Sequence, residues 1–377
     1  MVDNSFFPEI QRNFGFGCMR LPLVGEEVDL QQMNQMVDFF LANGFNYFDT
    51  AHGYLGGRSE VALRECLVKR HPRESYILTN KLSTHFFQRE EEILPLFQQQ
   101  LDACGVDFFD FYLMHAQDGA IFAKYKKCHA YEIALKLREQ GKIRHLGISF
   151  HDKAEVLEQI LTEYPQIEVV QIQFNYVDYE DASVESRKVY EVCEKYGKPV
   201  IVMEPVKGGS LANLPEQAQK VLDELGAGMS NASYAIRFAA GFPNMCMVLS
   251  GMSSLEQMTD NVGFMKDFQP LTPREQEAVD KICGIFHSMN MIPCTGCHYC
   301  VLDNDCPKKI PIPELFACYN EKTIFRSWNQ DYYYHNVLTR DHGKASACLE
   351  CGKCEKICPQ HLPIRTLLKN VAKEFEK

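Results

Sequence analysis

The chain has 377 residues, of which 46% are hydrophobic and 24% charged, and its net charge is −11 at pH 7. That length exceeds what one hydrophobic core usually serves, so we expect two domains. The acidic balance argues against a nucleic-acid ligand, and no apolar run is long enough to span a membrane. Because Met1–Gly15 lacks a basic start, an apolar core and a cleavage site, we expect a cytoplasmic protein.

Short β-rich runs alternate with amphipathic stretches from Phe14 to about Phe268. In the stretch Leu30–Leu41, apolar residues return at helical spacing, and Gly44 follows as a stop signal. Eight such strand–helix units predict a (β/α)8 TIM barrel. The alternative, an open doubly wound sheet, lacks a GxGxxG motif after its first strand. The predicted strands are Phe14–Leu21, Tyr47–Ala51, Tyr76–Lys81, Phe109–His115, Ile143–Ser149, Val169–Asn175, Val200–Glu204 and Met245–Ser250.

The pattern changes after the eighth unit. Thr272 and Glu275 form a predicted capping box with proline at the first helical position, opening a helix that runs to about Met289. Beyond it, Pro313–Glu321 and Pro363–Glu374 have helical character, and β-branched runs are scarce. We therefore predict a barrel over residues 1–285 and an all-α ferredoxin-like domain over residues 286–377.

Eight of the sixteen cysteines form two matched sets in this second domain. The sets are Cys294, Cys297, Cys300 and Cys306, then Cys348, Cys351, Cys354 and Cys358. Both contain a CxxCxxC run followed by a Cys-Pro, the signature of [4Fe-4S] ligation, so we predict two such clusters. Zinc fits a three-cysteine run poorly, and disulfides would need an oxidising compartment.

The fourth cysteines commonly ligate the opposite cluster in two-cluster ferredoxins. By that rule Cys306 would complete the second site and Cys358 the first. The first set departs from the usual spacing, with five residues before Cys306 where three are usual. The remaining eight cysteines are scattered among apolar neighbours, and we interpret them as reduced side chains of a protein core.

Four polar residues stand at the ends of predicted barrel strands or in the loops that follow. Asp49 ends the second strand, Tyr54 lies in its loop, Lys81 ends the third strand and His115 the fourth. Catalytic groups of such barrels lie at these carboxyl ends. Individually, such residues often cap a helix, pack or remain solvated. Together they place an acid, a phenol, an amine and an imidazole around one mouth.

These four positions resemble the Asp–Tyr–Lys–His tetrad of the aldo/keto reductase family. The segments Asp49–Glu60, Thr79–Lys81 and Gly141–Ser149 also match, and the whole chain is similar to the branch with a C-terminal double iron–sulfur module. The resemblance implies an oxygen-sensitive oxidoreductase that interconverts a small carbonyl compound and an alcohol. Tyr54 would be the acid, Lys81 would stabilise its phenolate, Asp49 would keep Lys81 charged and His115 would orient the carbonyl.

The resemblance also implies a nicotinamide site. Ser149 and Gln171 match family contacts to the nicotinamide, and Asp260 and Asn261 match the adenine side. Phe150 replaces the usual Asn, and Glu204 replaces the stacking aromatic residue. Gly251 and Gln257 stand where many members carry Lys and Arg for the 2′-phosphate, so NADH is favoured over NADPH. Glu204 is either a substrate ligand or base, or a strand-end carboxylate paired with an arginine.

The two kinds of redox group differ in electron count. A nicotinamide delivers two electrons as hydride and each cluster passes one, so communication between them needs an intermediary such as flavin. The turn at Lys207 and Gly208 is a candidate loop for flavin phosphate, or only a tight turn. The sequence is compatible with a ferredoxin or flavoprotein partner that exchanges electrons with the clusters. Two alternatives stay open: an NAD(P)H reductase with structural clusters, and a nucleotide- or redox-sensing binding subunit.

Overall fold

A computed structural model describes residues 6–181, 184–289, 291–325, 327 and 329–376. The chain divides into two compact units, one comprising residues 1–205 and 232–271 and the other residues 206–231 and 272–377. The loop and helix that follow the seventh barrel strand therefore group with the C-terminal region. Among the described residues, no helix has the length and apolar character needed to cross a membrane.

The first unit is built on a closed barrel of eight parallel strands. Each strand pairs with its sequence neighbours, and the first closes the barrel against the eighth, with Phe14 opposite Val248. All eight predicted strands are confirmed to within a few residues at their ends. The strands are β1 Phe14–Gly17, β2 Tyr47–Asp49, β3 Ile77–Leu82, β4 Phe109–Gln117, β5 Ile143–Phe150, β6 Val169–Gln173, β7 Val200–Met203 and β8 Met245–Ser250.

Helices follow the barrel strands and continue into the second unit. Two short strands, Leu23–Val24 and Glu27–Val28, form an antiparallel hairpin. This hairpin was not predicted from the sequence, because two-residue strands are too short to show an alternating pattern. The helices are α1 Leu30–Ala42, α2 Arg58–Leu63, α3 Ile93–Cys104, α4 Gly119–Lys127, α5 Ala130–Glu139, α6 Ala154–Glu163, α7 Ser186–Lys195, α8 Glu216–Leu225, α9 Asn231–Ala240, α10 Leu255–Lys266, α11 Pro273–Ser288, α12 Tyr299–Leu302, α13 Ile312–Thr323, α14 Gln330–Tyr333, α15 Lys353–Lys356 and α16 Ile364–Phe375.

Local sequence signals explain where these helices begin and end. Asp29 caps α1 by accepting a hydrogen bond from the Gln32 backbone N–H, and Gly44 follows with a φ of 79°. The predicted capping box of α11 is confirmed, since Thr272 N donates to Glu275 Oε2 at 2.7 Å and Glu275 N to Thr272 Oγ1 at 3.3 Å.

The barrel interior is packed with side chains. Phe7 and Ile10, which precede β1, pack in one buried group with Tyr47, Phe111 and residues of the other strands. Gly147 in β5 has no room for a side chain, because a Cβ there would lie 2.6 Å from both Leu113 Cδ2 and Val169 Cγ1. The dense interior keeps the strands in register and leaves their carboxyl ends to carry chemistry.

The second unit contains an internal structural repeat. Two 12-residue helices, α13 and α16, each follow a short helix and a Cys-Pro, and both confirm the helical segments predicted for the tail. Left-handed backbone recurs at equivalent positions: Gly296 and Glu350, His298 and Gly352, Lys309 and His361. Leu315, Phe316, Leu368 and Val371 from the two halves share one buried core. The predicted all-α character is confirmed.

Candidate active site and cluster centres

The four strand-end residues predicted as a tetrad converge on Lys81. The Lys81 side chain is fully buried, and its Nζ donates to Asp49 Oδ1 at 2.5 Å, to Thr50 O at 2.8 Å and to Tyr54 OH at 3.2 Å. The Tyr54 and His115 rings meet edge to face, with centroids 6.1 Å apart. The structure thus brings the phenol, amine, carboxylate and imidazole together at the barrel mouth.

Burial sets the electrostatics of this group. Burial raises the pKa of Asp49 and lowers the pKa of Lys81, and in both residues the partner's charge only partly opposes the shift. The pKa of His115 is held well below its usual range, by burial first and then by the Lys81 charge. His115 is therefore a neutral imidazole, with its Nδ1 2.6 Å from Ser83 Oγ.

A buried polar network holds Lys81 from behind. Asn80 Oδ1 accepts from the Lys81 backbone N–H at 2.8 Å, and Asn80 Nδ2 donates to Glu60 Oε1 at 2.7 Å. Gln100 Nε2 donates to the Lys81 carbonyl at 2.8 Å, while Tyr112 OH donates to Gln100 Oε1 at 2.5 Å. Neither Gln100 nor Ser83 was predicted from the sequence. An amide within the otherwise apolar face of α3 was the available signal for Gln100.

The predicted nicotinamide contacts in the barrel differ in their present partners. Ser149 Oγ is buried and has no hydrogen-bond partner among the described residues. Gln171 Nε2 lies 3.3 Å from Asp49 Oδ2, and Asn261 Nδ2 donates to Ser250 Oγ at 3.2 Å. Asp260 is exposed on α10. An unsatisfied buried hydroxyl is costly unless a ligand supplies its partner, so Ser149 fits a carboxamide-bearing cofactor.

Glu204 lies directly after β7 in a left-handed conformation with a φ of 56°. Its Oε1 is 3.3 Å from Arg20 Nη2, and its backbone carbonyl accepts from Asn175 Nδ2 at 3.0 Å. The arginine pairing expected in one of the two interpretations is therefore present. Non-glycine residues with positive φ are uncommon and concentrate at functional sites. The backbone conformation of Glu204 is therefore also compatible with a ligand role, the other interpretation.

Lys207 and Gly208, the candidate flavin-phosphate loop, belong to the second unit. Lys207, Gly208 and the next residue, Gly209, all have positive φ, and the Lys207 side chain is buried. A Cβ on Gly208 would lie 2.6 Å from the Thr295 carbonyl oxygen, so this tight turn rests directly on the backbone beside Cys294. A phosphate-binding role for the turn stays a prediction.

The first three cysteines of the first set enclose a small cavity together with Cys358. Cys294, Cys297, Cys300 and Cys358 line it, together with mostly apolar residues such as Phe316 and with Thr295, His298 and Gln360. Four thiols around a mostly apolar cavity fit an iron–sulfur cluster, whose irons are each bound by a different cysteine. The fourth member, Cys358, comes from the other half of the repeat, as the exchange of ligands predicts; the placement of Cys306 in the second site stays a prediction.

The second set has left-handed backbone at the positions equivalent to those of the first set, but its Cys351 is exposed to solvent. The Glu350 N–H points at Cys348 Sγ at 3.4 Å, and burial, followed by the charge of Cys348, raises the pKa of Cys354 to about 11. Gly343 N donates to the Lys309 carbonyl at 3.3 Å, which brings the chain after Cys306 beside the approach to Cys348. No three His, Cys, Asp or Glu side chains converge on a single ion among the described residues, a geometry that a four-iron cluster does not require.

Comparison with known proteins identifies the family of the barrel. The aldo/keto reductase family model matches residues 13–283. The chain belongs to the aldo/keto reductase family. A 4Fe-4S dicluster domain model matches residues 293–363, which contain both cysteine sets. The chain is thus an aldo/keto reductase-type oxidoreductase with a 4Fe-4S ferredoxin-like domain.

Individual relatives are distant in sequence. An uncharacterized oxidoreductase of Bacillus subtilis (strain 168) is 23% identical over 66% of this chain and 85% of its own length. The NADH-specific methylglyoxal reductase of Escherichia coli (strain K12) is 25% identical over 45% of this chain and 54% of its own.

Solved structures show the same barrel. The holo form of an aldo-keto reductase from Bacillus halodurans is 25% identical, with a TM-score of 0.58 over 72% of this chain and 91% of that one. An aldo/keto reductase from Klebsiella pneumoniae in complex with NADP and acetate is 19% identical, with a TM-score of 0.59 over 72% of this chain and 90% of its own.

Proposed function

We propose that this protein interconverts a small carbonyl compound and an alcohol at Asp49, Tyr54, Lys81 and His115, with two [4Fe-4S] clusters passing electrons to or from the site. The observation that carries the proposal is the Lys81 ammonium, which is fully buried and contacts both Asp49 and the Tyr54 hydroxyl. Buried titratable groups with a specific charge partner cluster at functional sites, which supports a proton-transfer role for this group.

The residues supply acid catalysis and carbonyl orientation. In the reducing direction Tyr54 donates its proton to the carbonyl oxygen, and the Lys81 charge 3.2 Å away stabilises the phenolate that remains. Asp49 offsets the burial of that charge. His115, being neutral, donates a hydrogen bond to the substrate oxygen without competing for the proton. Water is restricted because Asp49, Lys81 and His115 are all buried.

Two cofactor types supply the electrons when bound: a nicotinamide delivers hydride and an iron–sulfur cluster passes single electrons. Ser149 Oγ and Gln171 are the barrel residues that would hold the nicotinamide carboxamide. Related proteins described as NADH-specific or as bound to NADP support a nicotinamide here. The replacements Gly251 and Gln257 favour NADH over NADPH. Flavin remains a candidate intermediary.

The test of the tetrad uses anaerobically purified protein with its iron intact. We expect Tyr54→Phe and Lys81→Met each to lower carbonyl reduction by on the order of a hundredfold or more, because the positioned acid or its stabilising charge is lost. Initial rates are measured with a panel of small aldehydes and ketones. Each substrate is assayed with NADH, NADPH and reduced viologen as the electron donor.

The matched control is Tyr332→Phe, which removes a hydroxyl from a side chain that is 64% exposed. It should keep the wild-type rate, and all variants should keep the wild-type iron content. Retention of most of the activity by Tyr54→Phe, on a substrate that the wild type turns over, would contradict the proposed role. The binding-subunit interpretation would then be favoured.

A further inference from the structure

The two halves of the cluster repeat differ at one equivalent position. The residue after the first cysteine of each set is Thr295 in one half and Leu349 in the other. Thr295 is 3% exposed, and the Lys207–Gly209 turn rests on its backbone, whereas Leu349 is 60% exposed. A segment of the same chain thus covers the first cysteine loop, while the corresponding loop of the second set presents a large apolar side chain to solvent.

The cysteines themselves follow this difference. In the group around the first cavity, Cys300 and Cys358 are buried and Cys294 and Cys297 are partly buried. In the other group, Cys351 is exposed, Cys348 and Cys306 are partly buried and Cys354 is buried. A single electron reaches a redox centre fastest where the least protein intervenes. Of the two centres, the second is therefore the better placed for exchange with an external carrier.

Charge is also distributed unevenly along the chain. Residues 291–377 contain 12 Lys and Arg against 10 Asp and Glu, a net charge of +2. Since the whole chain has a net charge of −11, the first 290 residues have a net charge of −13. Within residues 291–305, around the first set, there is no Lys or Arg and there are two Asp. Residues 340–369, around the second set, contain six Lys and Arg against three Asp and Glu.

The acids around the second set are neutralised by neighbours. Asp341 pairs with Arg340 at 3.0 Å, Glu350 with Lys369 at 3.0 Å and Glu355 with Arg365 at 2.7 Å. Among the described residues, Lys344, Lys353 and Lys356 are exposed and form no ion pair within 4 Å, although the charge of Lys344 contributes to the lowered pKa of Glu376. Lys308 and Lys309, also exposed, follow Cys306 in the same unit. An exposed apolar residue with basic neighbours, next to a redox centre, has the composition of a docking site.

We propose that the surface formed by Lys344, Leu349, Cys351 and Lys353 is the docking site for a small acidic one-electron carrier protein of the ferredoxin type. The carrier loses one electron and this protein gains one at the second cysteine set, with no bond made or broken and no proton moved. This inference deepens the proposed function and rests on it. It assigns electron uptake to the second set and leaves the first as the inner centre.

The test measures binding, without substrate. A two-cluster acidic ferredoxin is titrated in its oxidised form into the anaerobically purified holoprotein, and the dissociation constant is measured by calorimetry at low and high salt. We expect K344E/K353E to weaken binding by about tenfold or more at low salt, because two attractive charges become repulsive. Added salt should weaken wild-type binding and reduce this difference. Leu349→Gln should weaken binding at both salt concentrations.

The matched control is K127E/K281E, which changes the net charge equally at two exposed lysines outside the repeat. It should bind the ferredoxin nearly as wild type does. At high salt, where the charge of the small cationic mediator is screened, all variants should be reduced by viologen at the same rate, because the mediator needs no docking. Absence of binding by the wild type, or equal weakening by both pairs, would overturn the proposal. Tyr54→Phe should bind the carrier normally, so a failure here is distinguishable from a failure of the tetrad.

Discussion

At the scale of single residues, two buried serines in the barrel have opposite hydrogen-bonding situations. Ser59 Oγ contacts both Cys18 O and Thr50 Oγ1 at 2.8 Å. Ser149 Oγ has no partner among the residues that the structure describes. A hydroxyl that forms bonds stabilises the fold, whereas one buried without bonds costs free energy until something binds it.

We therefore expect Ser149→Ala and Ser59→Ala to separate binding from stability. Ser149→Ala should leave the free energy of unfolding unchanged or raise it by up to about 1–3 kcal/mol, because an unsatisfied hydroxyl is removed, and it should weaken NADH binding by about tenfold, the value of one hydrogen bond. Ser59→Ala should cost about 1–3 kcal/mol and leave NADH affinity unchanged. The measurements are urea denaturation and fluorescence titration with NADH. A stability loss at Ser149 equal to that at Ser59 would contradict a role in cofactor binding.

The residues of the candidate site were predictable to different degrees. Asp49, Tyr54, Lys81 and His115 could be placed at one mouth because each follows or ends a strand, and strand ends meet in a closed barrel. Their separations could not be predicted, since they depend on side-chain conformations. Gln100 is on a helix and reaches the Lys81 carbonyl through a long side chain. Sequence spacing contains no information about such a contact.

At the scale of secondary-structure elements, regular strands were predictable and irregular backbone was not. The β4–β5 register shifts between Met114 and Gln117, and Ala116 has a φ of 52°. A bulge of this kind re-aims neighbouring side chains, among them His115. Alanine rarely adopts a left-handed conformation, so the residue type gives no warning. The pattern of apolar residues fixes which runs are strands, while tertiary packing decides where they bend.

His145 at the start of β5 links three elements. Its Nδ1 lies 2.8 Å from Glu168 Oε2, its Nε2 lies 2.6 Å from Glu9 Oε1, and its ring contacts those of Phe7 and Phe111. Burial works against the charged form, but the bonds and charges of the two carboxylates outweigh it and raise the pKa of His145. The protonated ring thus ties the segment before β1 to the strands.

This pairing predicts a pH-dependent stability. A raised pKa in the folded state means that the contribution is fully present below the unfolded value of about 6.5 and is lost as pH rises through the higher folded value. We expect His145→Gln to lower the denaturation midpoint most below pH 6.5, with the difference from wild type shrinking as pH rises. Guanidinium denaturation, followed by circular dichroism from pH 5.5 to 9, measures this. A difference that grows with pH would contradict the assignment.

At the scale of the whole molecule, the sequence revealed the two cysteine sets, but one feature of the organisation was out of reach. The segment 206–231 follows a barrel strand and yet groups with residues 272–377. The spacing of apolar residues predicts helix α8 but does not indicate with which of the two units it groups. Part of the reason is visible at Gly208, where only a residue without a side chain allows the turn to rest on Thr295. The division near residue 285 remains a prediction from sequence.

The repeat also makes the ligand exchange testable. If Cys358 completes the first cluster and Cys306 the second, Cys297→Ser and Cys358→Ser each remove the same cluster and leave about four iron atoms per chain of the eight expected for two [4Fe-4S] clusters. The double variant C297S/C358S should therefore lose no more iron than either single variant. By contrast, C351S/C358S should lose nearly all its iron, because its two substitutions fall on different clusters.

The matched control is Cys318→Ser, a buried cysteine outside both sets, whose Sγ lies 3.5 Å from the Gln330 carbonyl. It should keep the wild-type iron content. Iron and sulfide are assayed after anaerobic reconstitution, with circular dichroism confirming that each variant stays folded. The physical basis is the cavity that Cys358 shares with Cys294, Cys297 and Cys300. If C351S/C358S retained about four iron atoms while C297S/C358S lost all of them, each set would bind its own cluster and the exchange would be wrong.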